Sequence, residues 1–192
     1  MSTISAGFSV SLDGFVAEEN DDISKLYGWM VGQVQQETPL EDMEYTDEGK
    51  DVNETRSTSF GAIVSGRRTF DLAQGWGGQH PLGVPVVIVT HEAPSQWAND
   101  GKPFTFVTGG VAQAVARARE IAGEDNVAVC GPDVIRQCLE EGLLDEVGID
   151  LVPLLLGKGV RMFTGESPVQ LEKLSADDAD GVTHLRYRVV RD

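Results

Sequence analysis

The segment Ala62-Ile63-Val64-Ser65-Gly66-Arg67-Arg68-Thr69-Phe70 places two arginines where a β-like apolar run switches to a helical one. The first turn of a helix leaves N–H groups free and carries a partial positive charge, which suits phosphate. Cations in that turn oppose the helix dipole. Arg67 and Arg68 therefore either serve an anion or are plain exposed charges on an acidic protein, and Ser65, Gly66 and Thr69 share their turn. A second junction, Cys130-Gly131-Pro132-Asp133-Val134, offers a glycine for close backbone approach and a proline suited to a first helical position. Thr90-His91 and Thr108-Gly109-Gly110 follow two further apolar runs. Turns at the carboxyl ends of parallel strands are where open α/β sheets bind nucleotides. Four in one chain weigh more than one.

Elsewhere the candidates are single side chains. Asp13 ends the strand-like run Ile4–Leu12, whose second face (Ser5, Gly7, Ser9, Ser11) is small enough for a ring to lie against. Its carboxylate makes an ordinary Asp-Gly turn, or it orients a substrate amine or a proton-delivering water. Trp76, flanked by glycines, stacks on a planar substrate or pins its loop to the core. Trp29 belongs to the core or to a cleft wall, His80 reads as structural, and His184 reads as solvent-exposed. Three histidines and two cysteines show no metal-ligand spacing, so no metal site is expected.

The elements that must position these residues follow from periodicity. Ile23, Leu26, Tyr27, Met30, Val31 and Val34 predict a helix over 21–36, with Asp21 or Asp22 as cap. Residues 37–54 carry eight acids against Lys50 alone and read as a solvated loop. Strands at 61–64, 84–89, 104–107 and 127–130 alternate with helices at 67–74, 110–122 and 132–141, the last closed by Gly142. That alternation implies parallel βαβ units. Val147, Ile149 and Leu151 predict a further strand with one apolar face, and 169–175 with 182–190 an antiparallel pair around an Asp177–Gly181 turn. The fold class is α/β, a largely parallel central sheet with helices on both faces and an antiparallel C-terminal edge, expected as one domain over 1–192.

The net charge of −16 over 192 residues argues against a nucleic-acid partner, which needs a basic footprint. No apolar run is long enough for a membrane span. Without a signal-peptide pattern and with two cysteines read as reduced core thiols, the expected compartment is the cytoplasm.

Taken in order, Ser11-Leu12-Asp13-Gly14-Phe15-Val16-Ala17, Val64–Phe70, Gly142-Leu143-Leu144-Asp145-Glu146-Val147 and Val152-Pro153-Leu154-Leu155-Leu156-Gly157-Lys158-Gly159 resemble the dihydrofolate-reductase-like superfamily. The chain is most similar to the branch of the RibD C-terminal domain, the reductase part of the bifunctional riboflavin-biosynthesis deaminase-reductase, and its stand-alone bacterial relatives. The resemblance implies an NADPH-dependent reductase, with NADH possible, that passes hydride to a small heterocycle such as a ribosylamino-pyrimidine. Dihydrofolate reduction is one alternative; a non-catalytic nucleotide-binding or stress protein on the same fold is another. By family position Ser65, Gly66, Arg67, Arg68 and Thr69 hold cofactor phosphates, Thr90 and His91 lie near the adenosine ribose, and Gly109, Gly131, Pro132, Asp133 and Val134 complete the cofactor side. Asp13, Trp29, Trp76 and Leu155 fall to the substrate, with Asp13 on the loop over the nicotinamide. The relatives also imply a homodimer. Departures are visible: Pro132 stands where a second glycine is common, Asp133 would repel phosphate, and Glu92 disfavours a 2′-phosphate. The zinc-deaminase signature is absent, so no deaminase half is expected.

Overall fold

The structure, a computed structural model, describes residues 2–32, 44–97, 101–179 and 181–191. Its strands are β1 (Ile4–Ser11), β2 (Phe15–Ala17), β3 (Phe60–Gly66), β4 (Val86–Val89), β5 (Phe104–Val107), β6 (Asn126–Cys130), β7 (Glu146–Val152), β8 (Val160–Arg161), β9 (Leu171–Ala179) and β10 (Val182–Val189). The helices are α1 (Ser24–Val31), α2 (Asp47–Ser59), α3 (Arg67–Leu72), α4 (Val111–Ala122) and α5 (Pro132–Glu140). The fold class is the expected one: a largely parallel sheet with helices and an antiparallel edge. No helix among the described residues is long and apolar enough to cross a membrane. The chain divides into two compact units, Met1–Ala6 with Arg56–Asp145 and Gly7–Thr55 with Glu146–Asp192.

The first unit is the parallel one. Its strands follow the order β5-β4-β3-β6-β1, each pair parallel. β-branched runs such as Val86-Val87-Ile88 are fully buried, as strands covered on both faces must be. α4, expected over 110–122, buries Val111, Ala114, Val115, Ala118 and Ala122 as one helical stripe. Phe70 on α3 is buried with Ile63, Val86 and Ile88; removing such a ring from water contributes about 1.5–3 kcal/mol. α5 ends as expected, with the Leu143 N–H on the Cys138 carbonyl and Gly142 N–H on that of Leu139.

The second unit is antiparallel: β7, β10 and β9 lie in that order, and β2 pairs with β8. Several expectations are corrected here. α1 starts at Ser24 and stops at Gly32 rather than spanning 21–36; Asp22 accepts from the Ser24 N–H and hydroxyl at its entrance, and 33–36 lie outside the described residues. The loop expected over 37–54 gives way to α2 from Asp47, while 37–43 lie outside the described residues. Periodicity could not reveal this polar helix. Thr46 caps it by accepting the Gly49 N–H at 2.9 Å, Asp47 suits the positive end, and a Cβ on Gly49 would fall 1.9 Å from the Met30 carbonyl oxygen, so the helix start is docked. The C-terminal pair is longer than expected, with Asp177 and Asp178 inside β9 rather than in the turn. In β7 the buried residues are Val147, Asp150 and Val152, not a single Val147-Ile149-Leu151 face, because both faces of that strand are partly covered.

Candidate functional site

Strand register sets the first unit's turns side by side. Val107, Val89 and Gly66 are consecutive partners across β5, β4 and β3, and Ser65 pairs with Cys130. The next residues along each chain are Thr108, Thr90, Arg67 and Gly131, so all four expected turns open at one end of one parallel sheet. Gly66 and Gly131 interlock there: a Cβ on Gly131 would meet Thr69 Oγ1 at 2.8 Å, and one on Gly66 would touch Val134 at 3.1 Å. Gly131 also has φ +93°, a conformation that a side chain resists. α3, α4 and α5 start after Gly66, Gly110 and Gly131 with no side chain capping their first-turn N–H groups. These backbone donors are what an anionic cofactor needs.

The charged side chains around this row are already organised. Arg67 holds both carboxylate oxygens of Asp71 through Nε at 2.8 Å and reaches the Glu92 carbonyl at 3.1 Å. It thereby ties the start of α3 to the Thr90-His91-Glu92 turn, where the Thr90 hydroxyl also donates to the Glu92 carbonyl. Arg68 and His91 are exposed. Asp133 turns onto its own helix, accepting from Arg136 at 2.7 Å and Gln137 at 2.8 Å. A neutralised carboxylate repels phosphate less than the sequence implies. Gly109 is exposed, with only the flexible Gln113 side chain over it.

In the second unit Asp13 is clasped. Its carboxylate accepts from the Ser11 hydroxyl at 2.6 Å and from the amides of Gly157 at 2.6 Å and Leu156 at 3.1 Å. The Ser11 hydroxyl accepts in turn from Phe15 N–H. The Ser11 bond, with the amides of Gly157 and Leu156, outweighs desolvation and holds the carboxyl at about 2. An acid so depressed is a fixed anion near neutrality, unable to donate a proton. Asp13 thus binds the β1–β2 turn to the loop carrying Leu155, which is largely exposed. Sequence reasoning had no view of these partners, more than 140 residues away.

Trp29 on α1 donates its indole N–H to Ser9 Oγ, a buried hydroxyl on β1. Its ring meets His184 edge-on at 5.1 Å. His184 is not the solvent-exposed residue expected: β10 is an inner strand, and His184 Nδ1 lies 2.8 Å from Asp150 Oδ1, its direct neighbour on β7. Neither Asp150 nor Ser9 signals this network in the sequence. Asp22 is occupied at the start of α1, and α1 itself, Ser-Lys-Leu-Tyr-Gly-Trp-Met-Val, carries no carboxylate.

Trp76 sits in the first unit, in an aromatic cluster with Phe70 at 5.9 Å and His80 at 4.8 Å. Gln74, Gly75, Trp76 and Gly77 are consecutive left-handed residues, a strained run held by those rings. Of the two roles open to Trp76, this packing favours the loop-pinning one. Burial lowers His80 to about 4, and its Nδ1 accepts the Leu82 N–H, so it is a neutral structural imidazole near pH 7. Cys130 and Cys138 are free thiols that burial pushes up to about 11 and about 12.

Residues 2–185 match the family model described as the RibD C-terminal domain. Among solved structures, the chain is similar to a putative riboflavin biosynthesis protein from Shewanella sp. PV-4, with TM-score 0.75 and 22% identity over 98% of this chain and 99% of that one. It is also similar to the riboflavin biosynthesis reductase Rib7 of Saccharomyces cerevisiae, with TM-score 0.66 and 14% identity over 98% and 90%. A dihydrofolate reductase from Enterococcus faecalis, solved with NADP(H), gives TM-score 0.59 and 14% identity over 97% and 96%. At such identities these likenesses establish the dihydrofolate-reductase-like fold.

Proposed function

Because the chain belongs to the RibD C-terminal domain family, we propose that it is an NADPH-dependent reductase that transfers hydride to a small heterocycle of the aminopyrimidine kind. The observation that carries this reading is the row of turns at the carboxyl ends of β5, β4, β3 and β6. Uncapped helix starts at Gly110 and Gly131, the interlocked Gly66 and Gly131, and two arginines fit a dinucleotide. In this reading Gly66, Arg67, Arg68 and Thr69 hold phosphate, Thr90 and His91 flank the ribose, and Gly131 and Val134 meet the pyrophosphate through backbone N–H groups. The cofactor, when bound, supplies the hydride; the protein supplies orientation and electrostatics. Asp13 serves by fixing the Leu155–Gly157 loop as an anion. A cytoplasmic homodimer is part of the same proposal, supported by the large apolar side chains that the second unit exposes, Leu12, Leu155 and Leu174 among them. Sedimentation at micromolar concentration tests the dimer. Fluorescence titration with NADPH and NADH tests the enzyme: saturable binding with NADPH favoured is expected, and binding of neither would leave the fold without this function.

A further inference from the structure

Among the described residues Asp150 is the one charged residue in the buried set. Burying a carboxylate costs several kcal/mol before its partner compensates, and an apolar pair usually stabilises a strand ladder as well or better. β7 and β10 already share six register pairs, from Glu146 with Arg188 to Leu151 with Thr183. The Asp150–His184 pair therefore does something other than hold two strands together.

Its next neighbour shows what. The His184 ring stands edge-on against Trp29, whose indole N–H is also fixed on Ser9. Asp150 sets the imidazole, and the imidazole and Ser9 each hold the indole. An indole held by two contacts keeps one orientation without being buried, and Trp29 is only half-buried. Two residues before Ser9, and so on the same face of β1, Gly7 is exposed and a Cβ built on it would meet nothing within 4 Å. The covered part of that face stops at Ser9 and Trp29; the open part begins at Gly7.

We propose that Asp150 and His184 are positioning residues that hold Trp29 as the wall against which a planar aminopyrimidine-type substrate lies, over Gly7. This rests on the reductase reading, and names where within the second unit its substrate ring is recognised.

The test uses the whole protein and 5,6-diaminouracil as probe. Trp29 is read as the difference in near-ultraviolet circular dichroism and fluorescence between the wild type and Trp29→Phe. In the wild type the probe is expected to quench Trp29. Asp150→Leu should erase the Trp29 dichroism and raise the probe's Kd at least tenfold, leaving the NADPH Kd within twofold. Asp150→Asn, which still accepts from His184, should restore most of both signals. Should Asp150→Leu fail to fold, His184→Asn decides with the same readouts, since it keeps a donor toward Asp150 and removes the ring edge from Trp29. Gly7→Val, whose Cβ meets no neighbour within 4 Å, should exclude the probe while the melting temperature holds or rises. Unchanged Trp29 signals and probe affinity in the Asp150 or His184 variants would overturn the proposal, as would a probe that leaves wild-type Trp29 unquenched. NADPH binding, read separately by cofactor fluorescence, distinguishes these failures from failure of the reductase reading itself.

Discussion

The first unit builds its candidate site from backbone and the second builds its own from side chains. Around β3, β4, β5 and β6 the recognition elements are glycine turns and uncapped helix starts, fixed by strand register and close approach. In the second unit they are a clasped carboxylate and a partly buried Asp-His-Trp-Ser chain. Backbone donors recognise what every pyridine nucleotide shares, its phosphates. Side chains can vary from one chain to the next without disturbing the sheet.

The largest effect should come from the backbone side. Gly131→Val forces a branched side chain onto φ +93° and into Thr69. NADPH affinity should fall 100-fold or more, with stability lowered by about 1–3 kcal/mol. A variant that binds NADPH normally, by fluorescence titration, would break the contrast between the units.

A smaller, selective effect belongs to Arg67→Ala with Arg68→Ala. Charge-assisted bonds to a 2′-phosphate are the strong kind, so NADPH should weaken at least tenfold more than NADH. Equal losses for both would assign these arginines to structure, chiefly to the Asp71 and Glu92 contacts of Arg67.

Trp76→Ala should cost stability without touching binding. The indole packs on Phe70 and His80, and truncation of a core-packed aromatic costs about 3–5 kcal/mol at full burial and less at this half-buried position. A lower melting temperature with NADPH and probe affinities unchanged is expected; a selective loss of probe binding would return Trp76 to the substrate.

The smallest effect is the pH dependence of the Asp13 clasp. Its carboxyl is held at about 2, below the ordinary 3.8. A depressed acid stabilises the fold above its unfolded pKa, and that contribution fades as pH falls from about 4 toward 2. Asp13→Asn should therefore melt below the wild type at pH 7, with the gap closing over that range. A gap that stays constant would mean the charge is not what the clasp uses.

The same division explains what could be read from the sequence. The turns after β3, β4, β5 and β6 announce themselves because glycine and proline punctuation is local, and the alternation of strands with helices implies the parallel pairing that aligns them. α2 stayed hidden because its start rests on Thr46 and on Gly49 meeting Met30, with no apolar stripe to mark it. Asp150 stands at a polar position between Ile149 and Leu151, and His184 reads as solvent-exposed. Their pairing depends on a register 34 residues apart, in a strand covered on both faces. Asp13 was visible as a candidate, but its amide partners on Leu156 and Gly157 were not.

The most direct test of the account is a paired titration of the wild type with NADPH, and with NADH, followed by energy transfer from tryptophan to the reduced nicotinamide. Saturable binding to one site per chain is expected, tighter for NADPH, and abolished in Gly131→Val while Asp150→Leu leaves it intact. Absence of saturable binding by either nucleotide in folded wild-type protein would contradict the account.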